Sequence, residues 1–161
     1  MRLVIVRHGK AHQSSQDGTD EARELRPKGE RQARHLGECL AGSLPPVARI
    51  IASRAVRAWQ TAELISERVG VPVEPHDALL VDEPVSGVVE RIAEWAEPLP
   101  AQGTLVVVGH NPQLSMLAGL LGGGGTGSDV GLRTGEAAAV EIDPASPIAG
   151  TLIDRIRLEE D

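Results

Sequence analysis

The chain contains no Phe and no Tyr, and its aromatic residues are Trp59 and Trp95 alone. That scarcity excludes a base-stacking platform for single-stranded nucleic acid and leaves Val, Leu, Ile and Ala to build the core. Cysteine is nearly absent as well. Cys39 has no partner for an internal disulfide, so the sequence asks for no oxidising compartment. It lies in an amphipathic stretch and reads as a buried small hydrophobe. Long apolar runs are missing too: none approaches the roughly 20 residues of a membrane span. The apolar run at residues 3–6 is too short for a signal peptide, and the expected location is the cytoplasm. Positive charge is in deficit, with 16 Lys and Arg against 23 Asp and Glu for a net charge of −7. A general affinity for nucleic acid or an anionic membrane surface is therefore disfavoured, while a local basic pocket is not.

What remains is an ordinary soluble composition, 41% hydrophobic and 24% charged over 161 residues. It fits one folded domain spanning residues 1–161. Residues 3–6 read as a strand buried on both faces, stopped by Arg7-His8-Gly9. Residues 10–22 are polar and turn-rich, a surface loop in which Asp17 and Asp20 are solvated charges. Ala33, Leu36, Leu40 and Leu44 recur at helical spacing over residues 27–44, with Pro27 in the first turn and Pro45-Pro46 as the stop. Residues 48–52 form a second strand ending at Ser53. A helix over residues 55–69 follows, with Gly70 at its C-cap, and residues 71–74 suit a short strand. Val88, Val89, Ile92 and Trp95 predict one helix over residues 84–97. Residues 104–108 give the strongest strand signal and end at Gly109-His110. Leu114, Leu117, Ala118 and Leu121 mark another helix, residues 122–135 a glycine-rich loop, and residues 136–142 and 151–158 a closing pair of strands. The alternation predicts an α/β three-layer sandwich: a mainly parallel sheet flanked by helices, with the last pair as a candidate antiparallel edge.

In such sheets ligands bind beyond the carboxyl ends of the strands. Three strands end there in polar groups: Arg7-His8-Gly9, Ser53 followed by Arg57, and Gly109-His110. If these strands are parallel neighbours, two histidines and two arginines converge. Two guanidinium forks beside two imidazoles describe an oxyanion site, and phosphate fits best. Nearby cations disfavour the imidazolium, leaving a lone pair for attack on phosphorus. The second histidine can donate to the phosphoryl oxygens. The chemistry implied is phosphoryl transfer through a phosphohistidine, followed by hydrolysis. His12, His35 and His76 lack partners at metal-ligand spacing, so neither a metal nor a cofactor is expected. His12 is a candidate to line the pocket. Gly122-Gly-Gly-Gly125 lacks the Lys-Ser/Thr and the preceding strand of a phosphate loop.

The joint pattern resembles the histidine phosphatase superfamily, with the phosphoglycerate mutase-like fold, and within it the small SixA-type phosphohistidine phosphatases. Leu3-Val-Ile-Val-Arg-His-Gly-Lys-Ala11 is similar to the opening strand and signature of that branch. Arg23-Glu-Leu-Arg-Pro-Lys-Gly29 resembles its R-P-L-T-x-x-G segment, and Ser53-x-x-x-Arg57-Ala-x-Gln-Thr61 its S-x-x-x-R-A-x-Q-T. Val107-Val-Gly-His-Asn-Pro-x-Leu114 matches V-V-G-H-N-P-x-L, and Thr134-Gly135 resembles a late T-G-A element. The resemblance implies His8 as the phosphorylated nucleophile, Arg7, Arg57 and His110 completing the phosphate pocket, Arg23 at its margin, and a Gly9 carbonyl that orients His8. It implies a phosphohistidine-bearing protein, such as a phosphorelay component, as partner.

The departures are Arg26, where the pattern has Thr, and Arg54, where Pro is common; both add positive charge at the rim. No carboxylate stands where larger relatives keep a general acid, and Asp82 and Glu83 are the nearest candidates, set against a solvated turn and helix N-cap before Pro84. An imidazole leaving group, with a conjugate-acid pKa of roughly 6.5, needs less acid assistance than an alkoxide. About 40 residues between the Arg57 helix and the His110 strand leave no room for a large lid insertion, so an open site suited to a protein-borne phosphohistidine is expected. A broad small-molecule phosphomonoesterase and a non-catalytic phosphohistidine-binding module are the alternatives.

Overall fold

The computed structural model describes residues 1–43, 45–123 and 130–159, so Leu44 and much of the glycine-rich loop lie outside the described residues. The strands are β1 (Arg2–Arg7), β2 (Val47–Ala52), β3 (Val73–Pro75), β4 (Thr104–Gly109), β5 (Ala137–Glu141) and β6 (Thr151–Ile156). They form one sheet in the order β3-β2-β4-β1-β5-β6. The first four are mutually parallel, while β5 and β6 complete an antiparallel edge.

Burial on both faces explains the unbroken apolar strands. In β1, Leu3 and Ile5 point into one core and Val4 and Val6 into the other; Leu105 and Val107 against Val106 and Val108 do the same in β4. On one face pack α1 (Pro27–Ala41) and α2 (Val56–Val69), contributing Leu36, Leu40, Ala58, Ala62 and Ile65. On the other pack α3 (Val85–Val89), α4 (Ile92–Ala96) and α5 (Gln113–Gly122), contributing Val88, Ile92, Trp95, Leu114 and Leu117. The result is the three-layer α/β sandwich that the alternation predicts. No large insertion separates α2 from β4; the chain there forms β3, a single 3₁₀ turn and the two five-residue helices. Among the described residues no helix is long and apolar enough to cross a membrane.

Pro27 opens α1, and α2 ends on Gly70 at φ 78°, a left-handed conformation that glycine adopts without steric cost. Two expectations are corrected. The single helix over residues 84–97 is broken at Glu90–Arg91, where Arg91 N–H bonds the carbonyl three residues back at Val88 and its Nη1 takes the Gly87 carbonyl at 2.8 Å. Gly87 and the β-branched Val85, Val88 and Val89 are weak helix formers, which leaves the two short pieces to packing. Cys39 is half-buried rather than buried, with Sγ 3.5 Å from His35 Nε2.

Candidate active site

The parallel register brings the polar strand ends to one edge. Beyond β1, the His8 N–H donates to the Gly109 carbonyl of β4 at 3.0 Å, and beyond β2 the Ser53 N–H donates to Val108 at 3.0 Å. The His8 and His110 rings consequently lie 5.3 Å apart, tilted by 57°. The Gly135 N–H holds the His8 carbonyl at 2.8 Å from the opposite side. Gly9 packs directly on Gly29 at the start of α1, where a Cβ on either glycine would overlap backbone across the contact. The Gly9 N–H donates to Thr61 Oγ1 at 3.0 Å, and that hydroxyl donates to the Arg57 carbonyl at 2.7 Å. One threonine thus ties the loop after β1 to the helix that carries Arg57.

His8 is 8% exposed and His110 is 3% exposed. His8 Nδ1 lies 2.7 Å from the Gly9 carbonyl, which can only accept, so Nδ1 carries the hydrogen and Nε2 the lone pair. Burial pushes its pKa down to about 4; the Gly9 bond works the other way, and the charges of Arg57, Arg7 and Arg23 add to the depression. Burial, followed by His8 and Arg57, takes His110 down to about 3, with Asp20 opposing. Both rings are neutral near pH 7. His110 Nε2 is 2.8 Å from Ser53 Oγ, which also accepts from the Ala55 N–H at 3.2 Å. When the serine hydroxyl donates to Nε2, the remaining hydrogen of His110 sits on Nδ1.

Arg57 is 3% exposed. Its Nη1 donates to the Asp20 carbonyl at 2.7 Å and its Nη2 to Asp20 Oδ2 at 2.9 Å. Arg7 Nη1 donates to the Leu132 carbonyl at 3.1 Å, a carbonyl that Asn111 Nδ2 also reaches at 2.9 Å. Four buried side-chain polar atoms among the described residues have no hydrogen-bond partner, and three of them are here: Arg7 Nε, Arg57 Nε and His110 Nδ1. The fourth is Gln113 Oε1. Arg23 stands at the margin, its Nε 2.9 Å from Asp20 Oδ1 and its Nη1 2.8 Å from the His12 carbonyl. The mouth is a cavity of about 270 Å³ lined by Arg7, His8, Lys10, Arg23, Arg26 and Thr134 among others.

Asp20 is the residue that the sequence reading passes over. Its side chain is exposed, as a solvated loop charge would be, and it is also the shared counter-ion of Arg57 and Arg23. Partial desolvation works to raise its pKa, but the hydrogen bonds and charges of the two arginines outweigh this and hold the carboxyl below its usual range. The i,i+3 spacing to Arg23 was the one available signal. Asp82 and Glu83 are both exposed, and neither carboxylate makes a hydrogen bond or ion pair among the described residues. Asp82 adopts φ 66°, and the α3 N-cap is Pro84 with no side-chain bond. The Glu83 backbone does approach the His110 helix, its carbonyl 3.1 Å from Gln113 Nε2. Among the pocket candidates outside the signature, His12 lines a different cavity, together with Ser14 and Asp17.

Residues 3–80 match the histidine phosphatase superfamily (branch 1). An uncharacterised protein of Mycobacterium leprae is 30% identical over 71% of this chain and 67% of its own length. The fold is similar to that of the protein histidine phosphatase SixA in its tungstate complex, with a TM-score of 0.83 at 24% identity, covering 98% of this chain and 97% of the other. It is also similar to the alpha-ribazole phosphatase of Shigella flexneri, with a TM-score of 0.69 at 19% identity and 95% of each chain covered. On its sequence matches and its architecture, the chain belongs to the histidine phosphatase superfamily.

Proposed function

We propose that this protein is a phosphohistidine phosphatase that works through a covalent phosphohistidine on His8. The observation that carries the reading is the pairing of a neutral His8, whose Nε2 lone pair no other group uses, with buried donors on Arg7, Arg57 and His110 that no protein atom accepts. Buried donors are costly when unpaired, so their grouping here points to an anionic ligand that takes them. Tetrahedral phosphoryl oxygens fit donors arriving from three residues, and two guanidiniums supply the charge.

In the first step the Nε2 lone pair of His8 attacks phosphorus, and the bond from phosphorus to the substrate imidazole nitrogen breaks. The electron pair of that bond goes to the leaving nitrogen. The substrate reacts in its ring-protonated form, in which the other nitrogen of the departing ring bears a hydrogen taken from solvent, so the ring leaves as neutral imidazole. In the second step water attacks phosphorus, the bond to His8 Nε2 breaks, the proton of the water passes to solvent, and inorganic phosphate departs. Arg7, Arg57 and His110 Nδ1–H act by stabilising charge on the phosphoryl oxygens in both steps. The Gly9 carbonyl fixes the His8 tautomer and its ring plane. Asp20 is suited to holding Arg57 in place and not to donating a proton, because two guanidiniums keep it ionised. A site whose arginine-bound carboxylate is held ionised favours a leaving group that takes no proton from it, which supports phosphohistidine over alkyl phosphates.

The test compares phosphate release from a histidine-phosphorylated protein and from p-nitrophenyl phosphate, using wild type and His8→Ala. The expected result is preference for the phosphohistidine protein, loss of turnover in the variant, and an acid-labile phosphoenzyme in wild type only. Faster turnover of the monoester would favour a small-molecule phosphatase. In that case Glu83→Gln should lower the monoester rate.

A further inference from the structure

We infer that the mouth of the site carries a docking surface for acidic residues that flank the phosphohistidine of a protein substrate. The inference rests on the functional reading above and names the kind of partner it serves. Although the chain has a net charge of −7 and two lysines in all, both lysines lie at this mouth. The pocket beside His8 shares Thr134 with a second cavity of about 190 Å³, lined by Lys28, Gln32, Arg133 and Arg157. The Lys10 N–H donates to Gln32 Oε1 at 2.9 Å, a bond between a residue lining the first cavity and one lining the second.

Lys10, Arg26, Lys28 and Arg133 are all exposed, and none makes an ion pair or side-chain hydrogen bond among the described residues. Elsewhere on the described surface cations are mostly matched: Arg34 with Glu30, Arg54 with Asp77, Arg155 with Glu136. Arg68 is the exposed cation outside the patch that shares this unpaired state. The acid in the second cavity, Glu159, is itself engaged by Arg157 at 3.4 Å.

Local helix chemistry argues that this charge is not there for the fold. Arg26 is the N-cap of α1, where no side-chain cap bond is made, and Lys28 follows in the first turn. A capping Ser or Thr would stabilise that helix end, and although Glu30 supplies one acid in the first turn, the cations at Arg26 and Lys28 oppose the dipole. Positions that break a local rule are expected where function asks for it. Four unneutralised cations around an opening to a histidine pair suit carboxylates on both sides of a phosphorylated residue. The overall negative charge and the lack of exposed aromatics weigh against an extended polyanion such as RNA.

The test uses two synthetic peptides phosphorylated on histidine, identical except that aspartates flank the phosphohistidine in one and asparagines in the other, with phosphoimidazole as a small reference substrate. Wild type is expected to favour the aspartate peptide by about 10-fold in kcat/KM at low ionic strength, and that ratio should collapse toward one at about 0.5 M salt. In Lys28→Glu/Arg133→Glu the ratio should invert. Lys28→Glu places the favourable sign at a helix start and Arg133 is an exposed loop residue, so folding is preserved. Equal rates on the two peptides, or a preference unmoved by the double variant, would overturn the docking surface while phosphoimidazole turnover left the phosphatase reading standing. No turnover of any of the three substrates would overturn both.

Discussion

Two arginine–carboxylate pairs in this protein look alike and serve opposite ends. Arg49 on β2 gives Nε and Nη2 to the Glu74 carboxylate at 2.8 Å each and Nη1 to the Trp95 carbonyl at 2.9 Å, so its whole fork is engaged within the fold. Arg57 is far more buried, yet it gives only its two Nη groups to Asp20 and leaves Nε without a partner. A guanidinium that serves the fold completes its bonds within it. On the proposed function, a guanidinium meant for a ligand keeps a donor open, and Arg57 does so while taking its counter-ion from an exposed loop.

The sharpest way to break this comparison is to truncate both. Arg57→Ala should lower kcat/KM for a phosphohistidine substrate by about 10²–10³-fold, as expected on losing an oxyanion donor. Arg49→Ala should leave kcat/KM within about twofold and cost about 1 kcal/mol of stability, as partly exposed pairs do. Steady-state kinetics and urea unfolding on the two variants decide it; a comparable kinetic loss in both would erase the distinction.

The second prediction separates the regions by pH. His8 and His110 have folded pKa values depressed to about 4 and about 3, below the usual 6.5. Below pH 6.5 the unfolded chain therefore binds more protons than the folded one, and stability falls as pH falls. The slope is at most about 1.4 kcal/mol per pH unit for each histidine. Between pH 7 and pH 5 the Arg49–Glu74 pair adds almost no slope, because its hydrogen bond holds Glu74 below the ordinary carboxylate range and the stability it gives is lost only at lower pH. Unfolding free energies at pH 7 and pH 5 should fall steeply in wild type and less in His8→Gln. On the proposed mechanism, in which His8 attacks as the neutral ring, the acid limb of kcat/KM should lie below pH 5.

The third concerns that counter-ion of Arg57. Asp20→Asn removes a negative charge that competes with phosphoryl oxygens for Arg57 and Arg23. Inorganic phosphate should then inhibit about 3–10-fold more tightly, the size expected for one charge at a partly exposed site. Glu74→Gln, made as the control, should leave the inhibition constant where it is. An unchanged constant in Asp20→Asn would mean that Asp20 shapes the loop and does not contend for the site.

Much of this is legible in the sequence. Residues 3–6 and 104–108 are buried on both faces and so read as strands without ambiguity, and Arg7-His8-Gly9 and Gly109-His110 mark where they stop. The adjacency of β1, β2 and β4 that brings His8, His110 and Arg57 together needed only the rule about strand ends. Asp20 was not legible because residues 10–22 have no periodicity, and partners across a loop are set by tertiary packing. The break between α3 and α4 was hidden for a related reason: Val88, Val89, Ile92 and Trp95 satisfy a helical period whether or not the backbone is continuous. Burial was misjudged at Cys39 because amphipathic spacing assigns a face but not how far a side chain sits from its edge.

The smallest effect expected is at Arg26, and it bears on both halves of the comparison. As the N-cap of α1 it makes no capping bond and sets a cation against the helix dipole. Arg26→Thr supplies a hydroxyl for a free N–H of the first turn and removes the unfavourable charge, a gain of about 1 kcal/mol. Thermal unfolding should register it as a rise in Tm. The same substitution removes one of the four unpaired cations at the mouth, so the preference for an aspartate-flanked phosphohistidine peptide over its asparagine twin should decline. A variant that is more stable and less discriminating would place Arg26 with Arg57, among side chains whose bonds the fold leaves open. Greater stability with undiminished discrimination would place it with neither pair, as a surface residue that the helix merely tolerates.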